Sequence, residues 1–132
     1  MTGITLTIKD ETVGGNIINK IDVSFASELT TIKDIIAARV KAEVDLYNQQ
    51  LPLYFKGLVQ PSDAETTLNG YKLKDKRKVD TEKQCYIAFE AFYKNAYFIL
   101  VDNIQAEALD QMVVINPQTN ISFIKLTPLV GG

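Results

Sequence analysis

The sequence contains no histidine and no tryptophan, and its only cysteine is Cys85. Histidine is the commonest general base near neutral pH and a frequent metal ligand, so its absence removes the usual route to both functions. A single cysteine cannot form an internal disulfide, a zinc knuckle or a redox pair, and it agrees with a reducing compartment. We therefore expect a protein that is not an enzyme, with no catalytic residues and no metal site of its own.

Strong charge and long apolar runs are also absent. The formal net charge of −2 gives no reason to expect nucleic acid or an anionic membrane as a partner. No apolar run approaches the roughly 18 residues that span a bilayer, and residues 1–7 alternate apolar and polar instead of forming a signal peptide. We expect one cytoplasmic domain over residues 1–132.

The N-terminal third predicts a hairpin followed by a helix. Residues 4–9 and 21–25 alternate apolar and polar, and Gly14-Gly15 lies in the turn between them. From Thr31 to about residue 48 the apolar residues recur at helical spacing, and Asp34 completes a capping signal with Thr31. Glu43 and Asp45, far from the helix start, are expected to be solvated.

We expect the sheet and this helix to share one core. Its predicted members are Ile4, Leu6, Ile8, Ile21, Val23, Ile32, Ile35, Ile36, Val40, Leu100 and Phe123.

Residues 49–96 are predicted to be an insert. Two prolines and a glycine interrupt its first apolar stretch, and an amphipathic helix begins at Asp80 or Thr81. Half of the aromatic residues of the chain fall between Tyr86 and Phe98. They form either a satellite core beneath the insert or a self-association surface, for which the candidates are Tyr86, Phe89, Phe92 and Tyr93. Cys85, on the apolar side of this helix, is expected to be a buried and inert thiol.

The C-terminal third returns to strands. Apolar runs over 97–101 and 112–115 end at the turn-prone pairs Asp102-Asn103 and Asn116-Pro117, and a last strand covers 121–126. A hairpin, a helix and returning strands predict an α+β fold. The chain then ends in Gly131-Gly132, which chance would produce at roughly 0.5% from the average glycine usage of about 7%.

Two segments resemble ubiquitin and its relatives: the helix start Thr31-Ile32-Lys33-Asp34-Ile35, and the last strand leading to Leu129-Val130-Gly131-Gly132. The resemblance covers residues 1–48 and 97–132. Within this superfamily, the ending over residues 126–132 and the large insert look most like bacterial ubiquitin-like proteins. These are encoded beside activating and conjugating enzymes and a deubiquitinase-type peptidase, and several serve antiphage defence.

The resemblance implies a β-grasp fold, in which a mixed sheet wraps one helix, here with the insert and its second helix added. It also implies that a partner activating enzyme converts the Gly132 carboxylate to an acyl-adenylate and then to a thioester, before transfer to a target protein. ATP and magnesium would be bound by that enzyme, so this chain needs no cofactor. Since the chain already ends at Gly132, no processing protease is expected. Because glycine has no side chain, the backbone at Gly131 and Gly132 can pass through a narrow channel in the activating enzyme.

The tail departs from ubiquitin's basic tail because Pro128, Leu129 and Val130 carry no charge. We therefore expect the activating enzyme to recognise these three residues by shape and apolar contact. On the last strand, Ile121 and Phe123 face one way and Ile124 and Leu126 face the other. The pair that faces outward is either covered by the insert or exposed as a surface for a partner. The candidate residues for that surface are Ile124 and Leu126.

Two other functions remain open. A sulfur carrier uses the same fold and the same Gly-Gly end but finishes as a C-terminal thiocarboxylate. A β-grasp interaction module would use its surface alone and would never be activated. If the chain is a modifier, its expected partners are an activating enzyme, a conjugating enzyme, a deubiquitinase-like peptidase and a target protein. If the aromatic surface is exposed, we also expect a homo-oligomer.

Overall fold

Nine strands and two helices are formed by the residues that the computed structural model describes, which are 3–51, 54–62, 64–67, 70–73 and 78–126. In chain order they are β1 (Ile4–Glu11), β2 (Ile17–Phe25), β3 (Leu29–Thr31), α1 (Ile32–Gln50), β4 (Ala64–Thr67), β5 (Gly70–Leu73), α2 (Thr81–Tyr93), β6 (Tyr97–Val101), β7 (Ile104–Gln105), β8 (Met112–Val114) and β9 (Ile121–Lys125). The predicted α+β class is confirmed.

The main sheet has five strands in the order β2-β1-β9-β6-β7. The first and last strands are neighbours at its centre and run parallel, with Ile8 opposite Ile121, while the other pairs are antiparallel. The predicted N-terminal hairpin is confirmed, although β2 begins at Ile17, four residues before the expected Ile21. Two small ribbons, β3–β8 and β4–β5, lie outside this sheet.

Helix α1 begins and ends where its sequence dictates. The Thr31 hydroxyl accepts a hydrogen bond from the backbone N–H of Asp34 at 3.1 Å, as the capping signal predicts. The helix stops at Leu51, whose φ of 45° is left-handed and whose N–H still donates to the Tyr47 carbonyl. Helix α2 begins at Thr81, and the Asp80 carboxylate accepts from the N–H of Lys83.

One apolar core joins the inner face of the sheet to α1. Ile8, Ile36 and Phe123 are each 0% exposed, and nine of the eleven predicted core residues are buried. Ile21 packs partly buried against this core. Leu100 was wrongly predicted: it is only half-buried, and Ile99 occupies the inner position at 0% exposure. Because residues 97–101 are apolar throughout, their sequence carries no alternation that could select the inner face.

The hairpin that joins β6 to β7 confirms the predicted turn. Asp102 and Asn103 have φ values of 48° and 67°, and Val101 pairs with Ile104 across them. A two-residue loop with two positive φ values twists in the same sense as its strands, and Asn and Asp tolerate this conformation better than other non-glycine residues.

The insert contains a hairpin, β4–β5, that was not predicted. Phe55 and Tyr71 exchange two backbone hydrogen bonds of 2.7 and 2.8 Å, which attach this hairpin to the preceding segment. Phe55 is 0% exposed and meets the Tyr47 ring edge-on at 5.3 Å between centroids. The insert is thereby joined to α1. Within the described residues, neither helix is long and apolar enough to cross a membrane.

Candidate functional site at the root of the C-terminal tail

Strand β9 leads into the C-terminal residues from the centre of the sheet. Its last residue, Lys125, pairs with Tyr97 of β6, and Leu126 is the last residue that the structure describes. The predicted activation residues Gly131 and Gly132 lie outside the described residues, as do the recognition residues Pro128, Leu129 and Val130. The candidate site is therefore the surface from which the tail departs.

The outer face of β9 carries apolar side chains next to this departure point. Ile124 is half-buried and lies opposite Phe98 of β6, while Leu126 is 39% exposed. We call Phe98, Ile124 and Leu126 the tail-root patch. Glu11, beside Ile124 on β1, gives the patch an acidic border. Ile121 and Phe123, on the inner face, are buried in the core as expected for one of the two pairs.

Most of the contacts described for the insert are with α1, although Lys125 at the end of β9 also donates to the Gly57 carbonyl. Phe55 packs on Tyr47 of α1, and the N–H of Leu58 donates to Glu43 of the same helix. The side chain of Asn48 in α1 forms two hydrogen bonds with the backbone of Val79: it donates to the carbonyl at 3.0 Å and accepts from the N–H at 2.8 Å. None of these contacts involves Phe98, Ile124 or Leu126. The hypothesis that Ile124 and Leu126 form a partner surface therefore stays open.

A buried ionic cluster lies under the same end of the sheet. Arg39 is 0% exposed and donates through both terminal nitrogens to Asp10, with the longer of these bonds at 2.7 Å. It also donates to Glu43 at 3.1 and 3.0 Å, and its guanidinium lies 4.6 Å from the centre of the Phe123 ring. Pairing of this kind is required because an unpaired buried charge is costly.

The prediction that Glu43 is solvated is therefore wrong, since Glu43 is 4% exposed. Two patterns in the sequence could have identified the cluster. Asp10 continues the inward series of Ile4, Leu6 and Ile8 in β1, and Arg39 and Glu43 continue the apolar stripe of α1 at helical spacing. What the sequence could not give is the pairing, because Asp10 and Arg39 are 29 residues apart.

Burial and pairing act in opposite directions within this cluster. Burial raises the pKa of Glu43 above its ordinary value of 4.5, although the neighbouring Arg39 and the N–H of Leu58 oppose the shift. For Arg39, burial alone would lower the pKa, but Glu43 and Asp10 outweigh it and the pKa is raised. Arg39 is therefore a permanent cation.

Residues 54–59, which we call the strap, are held by three polar side chains from three different elements. Lys125 of β9 donates to the Gly57 carbonyl at 3.3 Å, and Glu43 accepts from the Leu58 N–H at 3.1 Å. Gln84 of α2 donates to the Val59 carbonyl at 2.7 Å. Burial lowers the pKa of Lys125. The base of the tail is thus fixed to the insert as well as to the sheet.

Gly57 permits the tight path of the strap. A Cβ atom at this position would lie 2.2 Å from the Phe55 ring, so any side chain would displace a fully buried aromatic residue.

The four predicted self-association residues on α2 differ in how far they are buried. Phe92 is 9% exposed and its ring lies 6.2 Å from that of Tyr97, so it belongs to the core and was wrongly assigned to the surface. Phe89 is half-buried, with the Lys33 ammonium 5.2 Å from its ring centre. Tyr86 and Tyr93 are exposed. Cys85 is half-buried, and burial together with Glu82 raises its pKa, which disfavours the reactive thiolate.

A cavity of about 700 Å³ lies away from the tail root, between the end of α2 and residues 105–110. Phe92, Tyr93 and Tyr97 line it, with Glu107 and Asp110 at its rim. It is open and holds no convergent set of catalytic groups. Among the described residues, no group of three His, Cys, Asp or Glu side chains could hold a metal ion.

No protein-family model, no curated protein and no solved structure matches this chain. Its function therefore has to be inferred from its own residues and geometry.

Proposed function

We propose that this chain is a ubiquitin-like modifier with a β-grasp fold, activated at Gly132 by a partner enzyme and then conjugated to a target protein. The observation that carries this proposal is the strand order. A last strand that lies parallel to the first, at the centre of a mixed sheet over one long helix, is the arrangement that the β-grasp requires. That strand leads towards Gly131 and Gly132.

The position of the insert also supports this assignment. It joins α1 to β6, and its described contacts leave the order of the five main strands intact. Without residues 51–96, the element order would be hairpin, short strand, helix and returning strands. This order supports the proposal of a β-grasp body, formed by the main sheet and α1, to which a strap, a small hairpin and a second helix have been added.

Activation would proceed in three transfers of the same acyl group. The Gly132 carboxylate attacks the α-phosphate of ATP, and pyrophosphate leaves. A cysteine thiolate of the activating enzyme then displaces AMP and forms a thioester, and a target amine or hydroxyl finally displaces that thiolate. ATP and magnesium belong to the partner enzyme, whereas this chain contributes the acyl group and the surface that the partners recognise.

The tail-root patch is suited to recognition because it lies directly before the reacting segment. An enzyme that binds Phe98, Ile124 and Leu126 would hold the body of the modifier while the tail enters the active site. Apolar surface of this kind is where protein partners gain most from desolvation. Conjugating enzymes and a deubiquitinase-like peptidase, which must also reach the tail, would use the same face. Since the sequence resembles modifiers of antiphage operons, we place this function in bacterial cytoplasm and in defence.

Intact mass measurement tests the proposal. The protein is incubated with its cognate adenylating enzyme, ATP and magnesium, and the products are then treated with or without a thiol reductant. A parallel sample also contains a sulfur donor. A modifier gives a thioester-linked complex that the thiol cleaves by thioester exchange, and the released modifier returns to its original mass once the exchanged thioester is hydrolysed. In the sample that also contains a sulfur donor, a sulfur carrier instead gives a free thiocarboxylate, in which sulfur has displaced AMP from the acyl-adenylate and one oxygen has been exchanged for sulfur. A chain that is never activated gives neither product, and this result would exclude the proposal.

A further inference from the structure

The solvent side of α2 carries two exposed tyrosines. Tyr86 and Tyr93 are 65% and 70% exposed, and their spacing of seven residues, two helical turns, places them on one face. The opposite side of the same helix is buried through Gln84, Ala88 and Phe92. Large aromatic side chains left in water on a regular helix are candidates for an interface.

Next to the tyrosines runs a stripe of charges centred on Ile87. Its members are spaced three and four residues apart, which keeps them on one helical face, and they alternate in sign: Asp80, Lys83, Glu90 and Lys94. The ion pairs of the described residues involve none of them. The stripe is close to antisymmetric about Ile87. Asp80 and Lys94 lie seven residues to either side of it, Lys83 and Glu90 lie four and three residues to either side, and each pair has opposite charges.

A shallow hollow lies beside Tyr86. Its volume is about 370 Å³, and Glu82, Lys83, Ile87 and Ser62 complete its lining. The hollow is mainly apolar, open to solvent and of a size that an aromatic ring can enter. It lies on the same side of α2 as the charged stripe.

We propose that two copies of this chain associate through α2, with the two helices antiparallel about a twofold axis near Ile87. In this arrangement Lys83 of each copy meets Glu90 of the other, and Asp80 meets Lys94 of the other. The Tyr86 ring of each copy occupies the hollow of its neighbour. A twofold interface of this kind uses one self-complementary patch on both subunits.

The charge order is what selects a second copy as the occupant. Antiparallel pairing about Ile87 brings four opposite-charge pairs together, whereas parallel pairing in register would oppose like charges at each of the same positions. Two 13-residue helices form an interface at the small end of specific contacts. The dimer is therefore weak, with a Kd on the order of 100 µM.

This pairing is independent of conjugation. Helix α2 packs on α1, where Lys33 meets Phe89, and so lies on the helix side of the sheet. The tail-root patch, on the outer face of the sheet, stays accessible in the dimer. Association could therefore accompany activation without blocking it.

Sedimentation equilibrium over concentrations up to about 1 mM tests the pairing. The wild-type protein should show a monomer–dimer equilibrium, and Tyr86→Asp should be monomeric because its carboxylate would be desolvated in the hollow. Lys20→Glu, which also adds negative charge but at an exposed position of β2, should leave the equilibrium unchanged. Unchanged melting temperatures verify that each variant is folded.

Charge reversal tests the antiparallel register. Lys83→Glu and Glu90→Lys should each weaken dimerisation by about tenfold, because each places like charges together twice. The double variant Lys83→Glu/Glu90→Lys restores opposite signs and should regain wild-type association. A wild-type protein that stays monomeric at about 1 mM overturns the proposal. So does a double variant that associates no better than the single ones.

Discussion

The body, formed by the main sheet and α1, and the insert are stabilised in different ways. In the body, Ile8, Ile36 and Phe123 are fully buried between the sheet and α1, and backbone groups are paired in the strand ladders. In the insert, the strap has no ladder of its own along 57–59, and its backbone groups are satisfied by side chains from β9, α1 and α2. Both regions bury apolar side chains, but residues 57–59 of the insert depend in addition on side-chain hydrogen bonds to their backbone.

This difference has a physical reason. A segment that enters the interior without regular structure exposes its N–H and C=O groups to an apolar environment, and each must find a partner. Glu43, Gln84 and Asn48 supply those partners here. An added segment can thus be accommodated on an existing fold when the host elements present polar side chains at the right positions. The body should then respond to loss of volume and the insert to loss of individual hydrogen bonds.

The largest effect is expected where the two regions meet, at Arg39. Arg39→Leu leaves the buried carboxylates of Asp10 and Glu43 without a counter-ion, so urea unfolding should show a loss of about 3–5 kcal/mol. The exposed pair Lys41–Asp45, at 2.7 Å, provides the control: Lys41→Leu should cost less than about 0.5 kcal/mol. Equal effects at the two positions would contradict the structural role of the buried cluster.

A cavity in the body should have the next largest effect. Ile36 is 0% exposed, and Ile36→Ala should lower the free energy of unfolding by roughly 2–5 kcal/mol through lost burial and an unfilled cavity. Leu46, on the solvent side of the same helix, is 62% exposed, and Leu46→Ala should change stability by less than about 0.5 kcal/mol. If the order of the two variants were reversed, the orientation of α1 on the sheet would be wrong.

In the insert, the loss of one hydrogen bond should act locally. Gln84→Leu removes the donor to the Val59 carbonyl, so we expect a cost of about 1–3 kcal/mol. Hydrogen exchange should become faster at the strap amides and remain unchanged at those of β1 and β9. Gln118→Leu, at an exposed glutamine, is the control. Uniformly faster exchange in both regions would mean that body and insert unfold as one unit.

The smallest effect is a pH dependence carried by Tyr97. Its hydroxyl donates to the Ala88 carbonyl at 2.6 Å, and burial raises its pKa above the ordinary value of 10.0. Because the folded-state pKa is the higher one, this contribution to stability is complete below pH 10 and is lost as the pH rises further. The melting temperature of the wild-type protein should therefore fall more steeply above pH 10 than that of Tyr97→Phe. Tyr93→Phe, at an exposed tyrosine, should behave as wild type.

The same division explains what the sequence could predict. Alternation in β1 and the helical stripe of α1 located the body, and Thr31 and Asp80 marked both helix starts, because these signals are local. Polar side chains that act across the chain were missed. Glu43 was expected in solvent because nothing near it in sequence identifies Arg39, Asp10 and the Leu58 N–H as its surroundings.

The candidate site was predicted unevenly for a related reason. The alternation of β9 separated Ile121 and Phe123 from Ile124 and Leu126, which is a local property of a strand. That Phe98 joins the outer pair depends on the register between β6 and β9. Clustering of aromatics along α2 suggested either a satellite core or a self-association surface. Helix orientation decides which members face the core, and Phe92 does so.

ATP–pyrophosphate exchange with the cognate activating enzyme tests the central claim most directly. If Gly132 is the activated residue, the wild-type protein supports exchange, while deletion of Gly132 or Gly131→Asp abolishes it. One residue added after Gly132 should also block exchange, because it displaces the terminal carboxylate by roughly 3.5 Å from the reacting position. The melting temperature should not change in any of these variants, since a chain terminus contributes little to packing. Unchanged exchange after deletion of Gly132 would contradict the account and leave the Gly-Gly end without a role.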